Sequence, residues 1–179
     1  MQVKEKNFLL TGAPGSGKTT LLEKLISELE VSADGFITRE IREKGSRVGF
    51  LIQDLKGNQE LLASINFPSH LRVGKYRVNL AGFEKIALPA LERALSDAEL
   101  VVIDEIGKME LFSDLFQKLV IKALDSPKPL LATILQKSHP FAEQIKRRPD
   151  VVIYKVSRGK IANIKKELKV QLEILLKKF

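Results

Sequence analysis

Gly12-Ala13-Pro14-Gly15-Ser16-Gly17-Lys18-Thr19, followed by Thr20, is the stretch that decides the fold. It satisfies G-x-x-x-x-G-K-[ST] in full. Each residue type has a physical reason. The glycines let the backbone turn so that successive N–H groups converge on one anion. A helix starting near Lys18 presents its positive end to that anion. Lys18 reaches the outer phosphates of a triphosphate as a point charge, and the Thr19 hydroxyl is a ligand for Mg2+. The context agrees. Phe8-Leu9-Leu10 is a short buried strand, and Leu21, Leu22, Leu25, Ile26 and Leu29 recur at helical spacing. Gly12, Ala13, Pro14, Gly15, Ser16, Gly17, Lys18, Thr19 and Thr20 are therefore the candidate nucleotide-binding residues.

Downstream, Leu100-Val101-Val102-Ile103 is an apolar strand expected to end at Asp104-Glu105. Strand ends at the carboxyl edge of a parallel sheet face the ligand. Asp104 is the second candidate metal ligand beside Thr19, and both are hard oxygen donors suited to Mg2+. Glu105 is placed to orient or deprotonate a water, and Glu110 is the next carboxylate along. Lys18, Asp104 and Glu105 form the candidate catalytic set. Asp104-Glu105-Ile106-Gly107 also fits the D-x-x-G of small GTPases. No N-K-x-D segment exists to read guanine, so base recognition is expected to be loose.

The rest of the chain alternates apolar strands with amphipathic helices. Phe36-Ile37-Thr38 and Val48–Ile52 are strand-like, with turn signals at Lys44-Gly45-Ser46 and Lys56-Gly57-Asn58. They predict an antiparallel hairpin inserted after the first helix. Asn79 caps a helix carrying Leu80, Phe83, Ala87, Leu91 and Leu95, with Pro89 expected to kink or restart it. Residues 110–124 predict a helix with Leu111, Leu115, Leu119 and Ala123 on one face, and Phe112 and Phe116 read as core. Leu130–Ile134 and Val151–Val156 are further strands, flanking a short helix near 139–147. Ile161, Ile164, Leu168, Leu172 and Leu175 form the stripe of a C-terminal helix. The fold class is α/β, a sandwich with a mostly parallel central sheet and helices on both faces.

Composition bounds the function. A chain of 179 residues suffices for one domain with a full core, and 1–179 reads as a single domain. There is no cysteine, which excludes disulfides and thiolate chemistry. His70 and His139 stand apart, so no transition-metal cluster is expected. The polar start Met1–Lys6 does not look like a signal peptide, and no apolar run is long enough to span a membrane. The protein is expected to be cytoplasmic and monomeric. Abundant Lys and Glu without Cys suits a heat-adapted protein. The net charge of +8 permits nucleic acid as a partner, but the basic residues are spread out, which favours solvated faces and a basic phosphate cleft. Arg72, Arg77 and Arg158 are candidates for the γ-phosphate, while Arg39, Arg42 and Arg47 read as structural.

Several of these pieces together resemble the small thermophilic nucleoside-triphosphatase family, whose vertebrate relative is the cancer-related nucleoside-triphosphatase. They are Gly12–Thr20, Gly35-Phe36-Ile37-Thr38-Arg39-Glu40, Arg47-Val48-Gly49-Phe50, Val73-Gly74-Lys75-Tyr76, Val101–Glu110 and Ala132-Thr133-Ile134. The resemblance implies a RecA-like P-loop fold. It also implies Mg2+-dependent hydrolysis of ATP, GTP and other nucleoside triphosphates, with slow turnover and little base preference. It carries the loop role onto Lys18 and Thr19 and the acidic roles onto Asp104 and Glu105. The tail departs from the family pattern at Leu135 and Ser157-Arg158-Gly159. Two other classes stay open. One is a nucleotide, nucleoside or polynucleotide kinase, with Lys146-Arg147-Arg148 as a lid remnant. The other is a nucleotide-dependent switch that binds RNA or protein.

Overall fold

Asn7–Thr11 is buried along its whole length, and a strand with no exposed face must have neighbours on both sides and cover above and below. The computed structural model, which describes residues 5–177, shows how that is met; the first four residues of the polar start lie outside the described ones. In chain order the elements are β1 (Asn7–Thr11), α1 (Lys18–Glu28), β2 (Ala33–Glu43), β3 (Ser46–Asp54), β4 (Gln59–Ser64), β5 (Arg72–Val73), β6 (Tyr76–Val78), α2 (Leu80–Asp97), β7 (Leu100–Ile106), α3 (Asp114–Asp125), β8 (Leu130–Ile134), α4 (Pro140–Lys146), β9 (Val151–Lys155) and α5 (Ile161–Leu176). Short 3-10 turns cover Glu110–Phe112 and Arg158–Lys160.

All strands join one sheet in the order β5-β6-β4-β3-β2-β7-β8-β1-β9. From β2 to β9 the pairings are parallel. Numbered along the chain, these parallel strands stand second, third, fourth, first and fifth from β2 to β9. β3 to β6 extend it as an antiparallel meander. This is the inserted hairpin region, and its turns fall where the glycine signals place them.

Each face of the sheet carries its own core. α2, α3 and α4 cover one face, where Phe36, Phe83 and Phe116 meet with ring centroids 5.1–5.9 Å apart. α1 and α5 cover the other, with Leu21, Leu22 and Leu25 against Leu168 and Leu172. Alternation along β7 sends Val101 and Ile103 to the first core and Leu100 and Val102 to the second. Arg93 on α2 donates to Asp34 on β2 and to Asp54 at the end of β3. Asp54 also accepts from the backbone of Lys56 and Asn58. One guanidinium thus locks a helix, a strand and a turn together.

The structure corrects several local expectations. The helix expected over 110–124 is broken at Ser113, whose hydroxyl accepts from the Phe116 N–H and starts α3 afresh. The buried stripe of α3 is Phe116, Val120, Ala123 and Leu124, while Leu115 and Phe112 are exposed. Pro89 does not restart α2, which is one continuous helix from Leu80 to Asp97. It sits on the exposed side, where water can serve the carbonyl it leaves unpaired. β2 runs to Glu43, well beyond Thr38, because its outer half is a charged ribbon paired only with β3. β7 continues through Asp104 and Glu105 to Ile106, with its register against β8 shifting between Ile103 and Ile106. Asn79 caps α2 as expected, accepting from Gly82 N–H.

Gly35 is where β2 passes closest to β7. Its φ is +135°, and a Cβ there would lie 1.8 Å from the Val102 carbonyl oxygen. Gly35→Ala is expected to destabilise the protein by about 3 kcal/mol or more, from the unfavourable φ and the overlap together. Denaturant titration measures it, and a loss under about 1 kcal/mol would mean the two strands can part at little cost.

Candidate nucleotide site

β1 delivers the glycine loop to the carboxyl edge of the sheet, and α1 begins at Lys18 with Gly17 as its N-cap. No side chain caps this helix, and no acidic residue occupies its first turn. Its unpaired N–H groups and positive end are therefore free for an anion. Gly17 has φ +96°, and a Cβ there would sit 2.9 Å from Ile161 Cδ1. The loop is thus pressed from outside by the start of α5. Lys18 folds back over the loop, its Nζ donating to the carbonyl oxygens of Gly12 at 2.8 Å and Ala13 at 3.1 Å.

Asp104 is the meeting point of three elements. The Thr19 hydroxyl donates to its Oδ2 at 2.9 Å, and the Thr133 hydroxyl donates to its Oδ1 at 2.7 Å. The Thr38 N–H approaches Oδ2 at 3.4 Å. Asp104 is 2% exposed. Among the described residues no cation lies within ion-pair distance of it. Burial pushes its carboxyl above the ordinary range; the bonds from Thr133, Thr19 and Thr38 and the charge of Lys18 pull it back without cancelling the effect. Glu105 beside it is likewise raised by burial and then by the Asp104 charge, with Lys18 opposing. Glu110, 4% exposed, is pushed well above the carboxylate range by burial and then by Glu105.

The donor chemistry fits a hard divalent cation. Thr19 and Asp104 offer only oxygen, and a buried carboxylate without a positive partner is what such an ion would satisfy. Among the described residues no three His, Cys, Asp or Glu side chains gather into a complete cage. Mg2+ characteristically takes one or two protein ligands and fills its shell with phosphate oxygens and water.

The structure thus brings together Gly12–Thr19, Asp104 and Glu105; Thr20 is exposed on α1. It separates other candidates. Arg72 and Arg77 lie on β5 and β6 at the far edge of the sheet, and Arg77 donates to the Ser69 carbonyl. Arg158 lies in the exposed turn between β9 and α5, next to the loop. Arg148 of the supposed lid remnant holds Asp125 and Asp150 at the amino edge, away from the phosphate end. Thr38 and Thr133 were not singled out as site residues from sequence. For Thr133 the available signal is a hydroxyl in an otherwise apolar strand; Thr38 acts through its backbone N–H, which leaves no mark in the sequence.

A glycine loop wrapped around an open helix start, its threonine bonded to a buried strand aspartate, defines a P-loop nucleotide-binding protein. Comparison with known proteins narrows the class. The sequence profile of the family described as NTPase matches residues 7–169, and the chain belongs to that family. It is 51% identical over 150 residues to nucleoside-triphosphatase THEP1 of Thermotoga sp. (strain RQ2), covering 84% of this chain and 86% of that protein. It is 41% identical over 169 residues to the cancer-related nucleoside-triphosphatase homolog of Mus musculus, covering 86% and 89%. Among solved structures, THEP1 of the hyperthermophile Aquifex aeolicus superposes with a TM-score of 0.86 at 37% identity, over 93% of this chain and 99% of that one. The human cancer-related nucleoside triphosphatase gives 0.78 at 37% identity, over 93% and 97%.

Gly17→Ala is expected to weaken triphosphate binding more than about tenfold, since the positive φ costs about 1–2 kcal/mol and the methyl displaces the loop from Ile161. Calorimetric titration with a non-hydrolysable analogue reads the change. Unaltered affinity would show that the loop binds phosphate in another conformation.

Proposed function

We propose that this protein hydrolyses ATP, GTP, CTP and UTP to the diphosphate and phosphate, with Mg2+, slowly and with little base preference. The observation that carries it is the Thr19–Asp104 bond beside an open glycine loop, with a second carboxylate, Glu105, immediately following. In this reading the loop N–H groups and Lys18 bind the β- and γ-phosphates. Lys18 leaves the Gly12 and Ala13 carbonyls to do so. Thr19 and Asp104 would hold Mg2+, which would supply positive charge to offset the triphosphate. Glu105 aligns the attacking water and accepts its proton.

What surrounds the loop supports the reading of slow turnover. Among the described residues no arginine donates to the loop, Asp104 or Glu105. A fixed arginine on the transferring phosphate can be worth roughly 10³–10⁵ in rate. Loose base choice has a similar basis. Ser157, Arg158, Gly159 and Lys160, which flank the loop, are all exposed. Exposed side chains leave no buried polar group to be stranded by the wrong base, and strong discrimination needs such groups. The kinase alternative loses its support with Arg148, which is engaged at the opposite edge of the sheet.

Phosphate release from the four nucleoside triphosphates, with and without Mg2+ and without any acceptor, tests the proposal. All four are expected to be hydrolysed within about tenfold of one another, and chelation is expected to abolish turnover. A preference above roughly a hundredfold for one base, or full activity in excess chelator, would overturn it.

Glu105→Gln keeps the side chain's size and removes the base. Binding is expected to stay within a few-fold, while single-turnover phosphate release slows about a hundredfold or more. Release within a few-fold of the parent would show that Glu105 only shapes the turn before Gly107.

A further inference from the structure

Glu110 is a buried acid with no cationic partner among the described residues. It opens the short turn after β7, yet its side chain is folded inward and 4% exposed. The groups that act on it are burial first, then the charges of Glu105 and Asp104, opposed only by the backbone N–H groups of Glu110 and Gly107. Burial without a cationic partner thus favours its neutral form over its charged one.

Its neighbour explains the placement. A Cβ on Gly107 would lie 2.9 Å from Glu110 Oε2, 3.2 Å from Glu105 Cδ and 3.3 Å from Glu105 Cγ. The two glutamates therefore pack over the same bare Cα. The turn beneath them is pinned. Leu111 N–H donates to the Gly107 carbonyl at 3.0 Å, and Ser113 N–H to that of Glu110 at 3.1 Å. The Ser113 hydroxyl also reaches Glu84 Oε1 on α2 at 2.6 Å. Glu105, by contrast, receives no side-chain hydrogen bond among the described residues, so packing alone orients it. A catalytic carboxylate held only by packing depends on the rigidity of the wall it packs against.

We propose that Glu110 is the positioning residue for Glu105, forming with the bare Gly107 the wall that aims the Glu105 carboxylate. This rests on Glu105 being the base. It assigns Glu110 no contact with the substrate, so its loss is read in turnover and not in binding.

The test is a set of variants assayed by steady-state and single-turnover phosphate release, with triphosphate affinity measured alongside. Glu110→Ala is expected to lower kcat at least about tenfold with KM and Kd within about twofold. Glu110→Gln, whose amide fills the same space over Gly107, is expected to retain turnover within about threefold of the parent. The double variant Glu105→Gln/Glu110→Ala is expected to be no slower than Glu105→Gln alone, since a residue acting through Glu105 has nothing left to position. Should Glu110→Ala not fold, Glu110→Asp replaces it with the same expectation, its carboxyl being drawn back from Gly107 by one methylene. Turnover within threefold of the parent in Glu110→Ala or Glu110→Asp would overturn the proposal. So would a Gln variant as slow as the Ala variant, or losses that multiply in the double variant. A fast Glu110→Ala beside a slow Glu105→Gln removes only the positioning role, whereas a fast Glu105→Gln removes the base assignment itself.

Discussion

A carboxylate 2% exposed and without a cation can be kept in a protein only by hydrogen bonds from rigid donors. Asp104 has such donors from three elements: Thr19 on α1, Thr133 on β8 and, at longer range, the backbone of Thr38 on β2. None of these elements is adjacent to β7 in sequence. β1 and β7 are not even neighbours in the sheet, because β8 lies between them. The loop and the aspartate therefore come into register only if β8 pairs correctly with both. A slip of β8 by one residue would turn Thr133 to the opposite face. The geometry of the phosphate site is in this sense a readout of sheet register.

The same logic accounts for the cores on either side. α1 must sit at one height for Thr19 to reach Asp104, and its leucines, packed under α5, set that height. On the opposite face the Phe36, Phe83 and Phe116 cluster holds β2, α2 and α3 together. It thereby supports the short turn that carries Gly107 and Glu110. Exposed ion pairs add little individually. The Arg93–Asp34–Asp54 group is different, because both acids are largely buried and one cation serves both.

Much of this was legible in the sequence, for reasons that differ by residue. The phosphate loop was readable because a backbone that wraps an anion needs glycine at set positions, leaving a mark in the letters themselves. The buried strands were readable because parallel sheets covered on both faces have continuous apolar runs. The outer half of β2 was not, since Arg39, Glu40, Arg42 and Glu43 form a ribbon with no buried face to give a signal. Thr133 was not singled out because a threonine in a strand is explained by β-branching alone, and nothing local says that its hydroxyl meets an acid on the next strand. That Glu110 is buried was not legible, because helical spacing runs straight through Ser113. The break there is made by a side chain capping its own backbone, and it changes which residues face inward. Local chemistry fixes loops and periods; long-range partners decide which polar groups are buried.

The antiparallel meander stands at the opposite end of the sheet from β9, and its outermost turn, at Gly74, has nothing within 4 Å of the position a side chain would take. The protein accordingly has a handle as well as a working end. A dye or affinity tag joined at that turn would begin from an open position, on the far side of the meander from the strands between β2 and β9. The nucleotide-dependent behaviour of the other edge could then be watched, or the molecule tethered to a surface, without touching the machinery that binds phosphate.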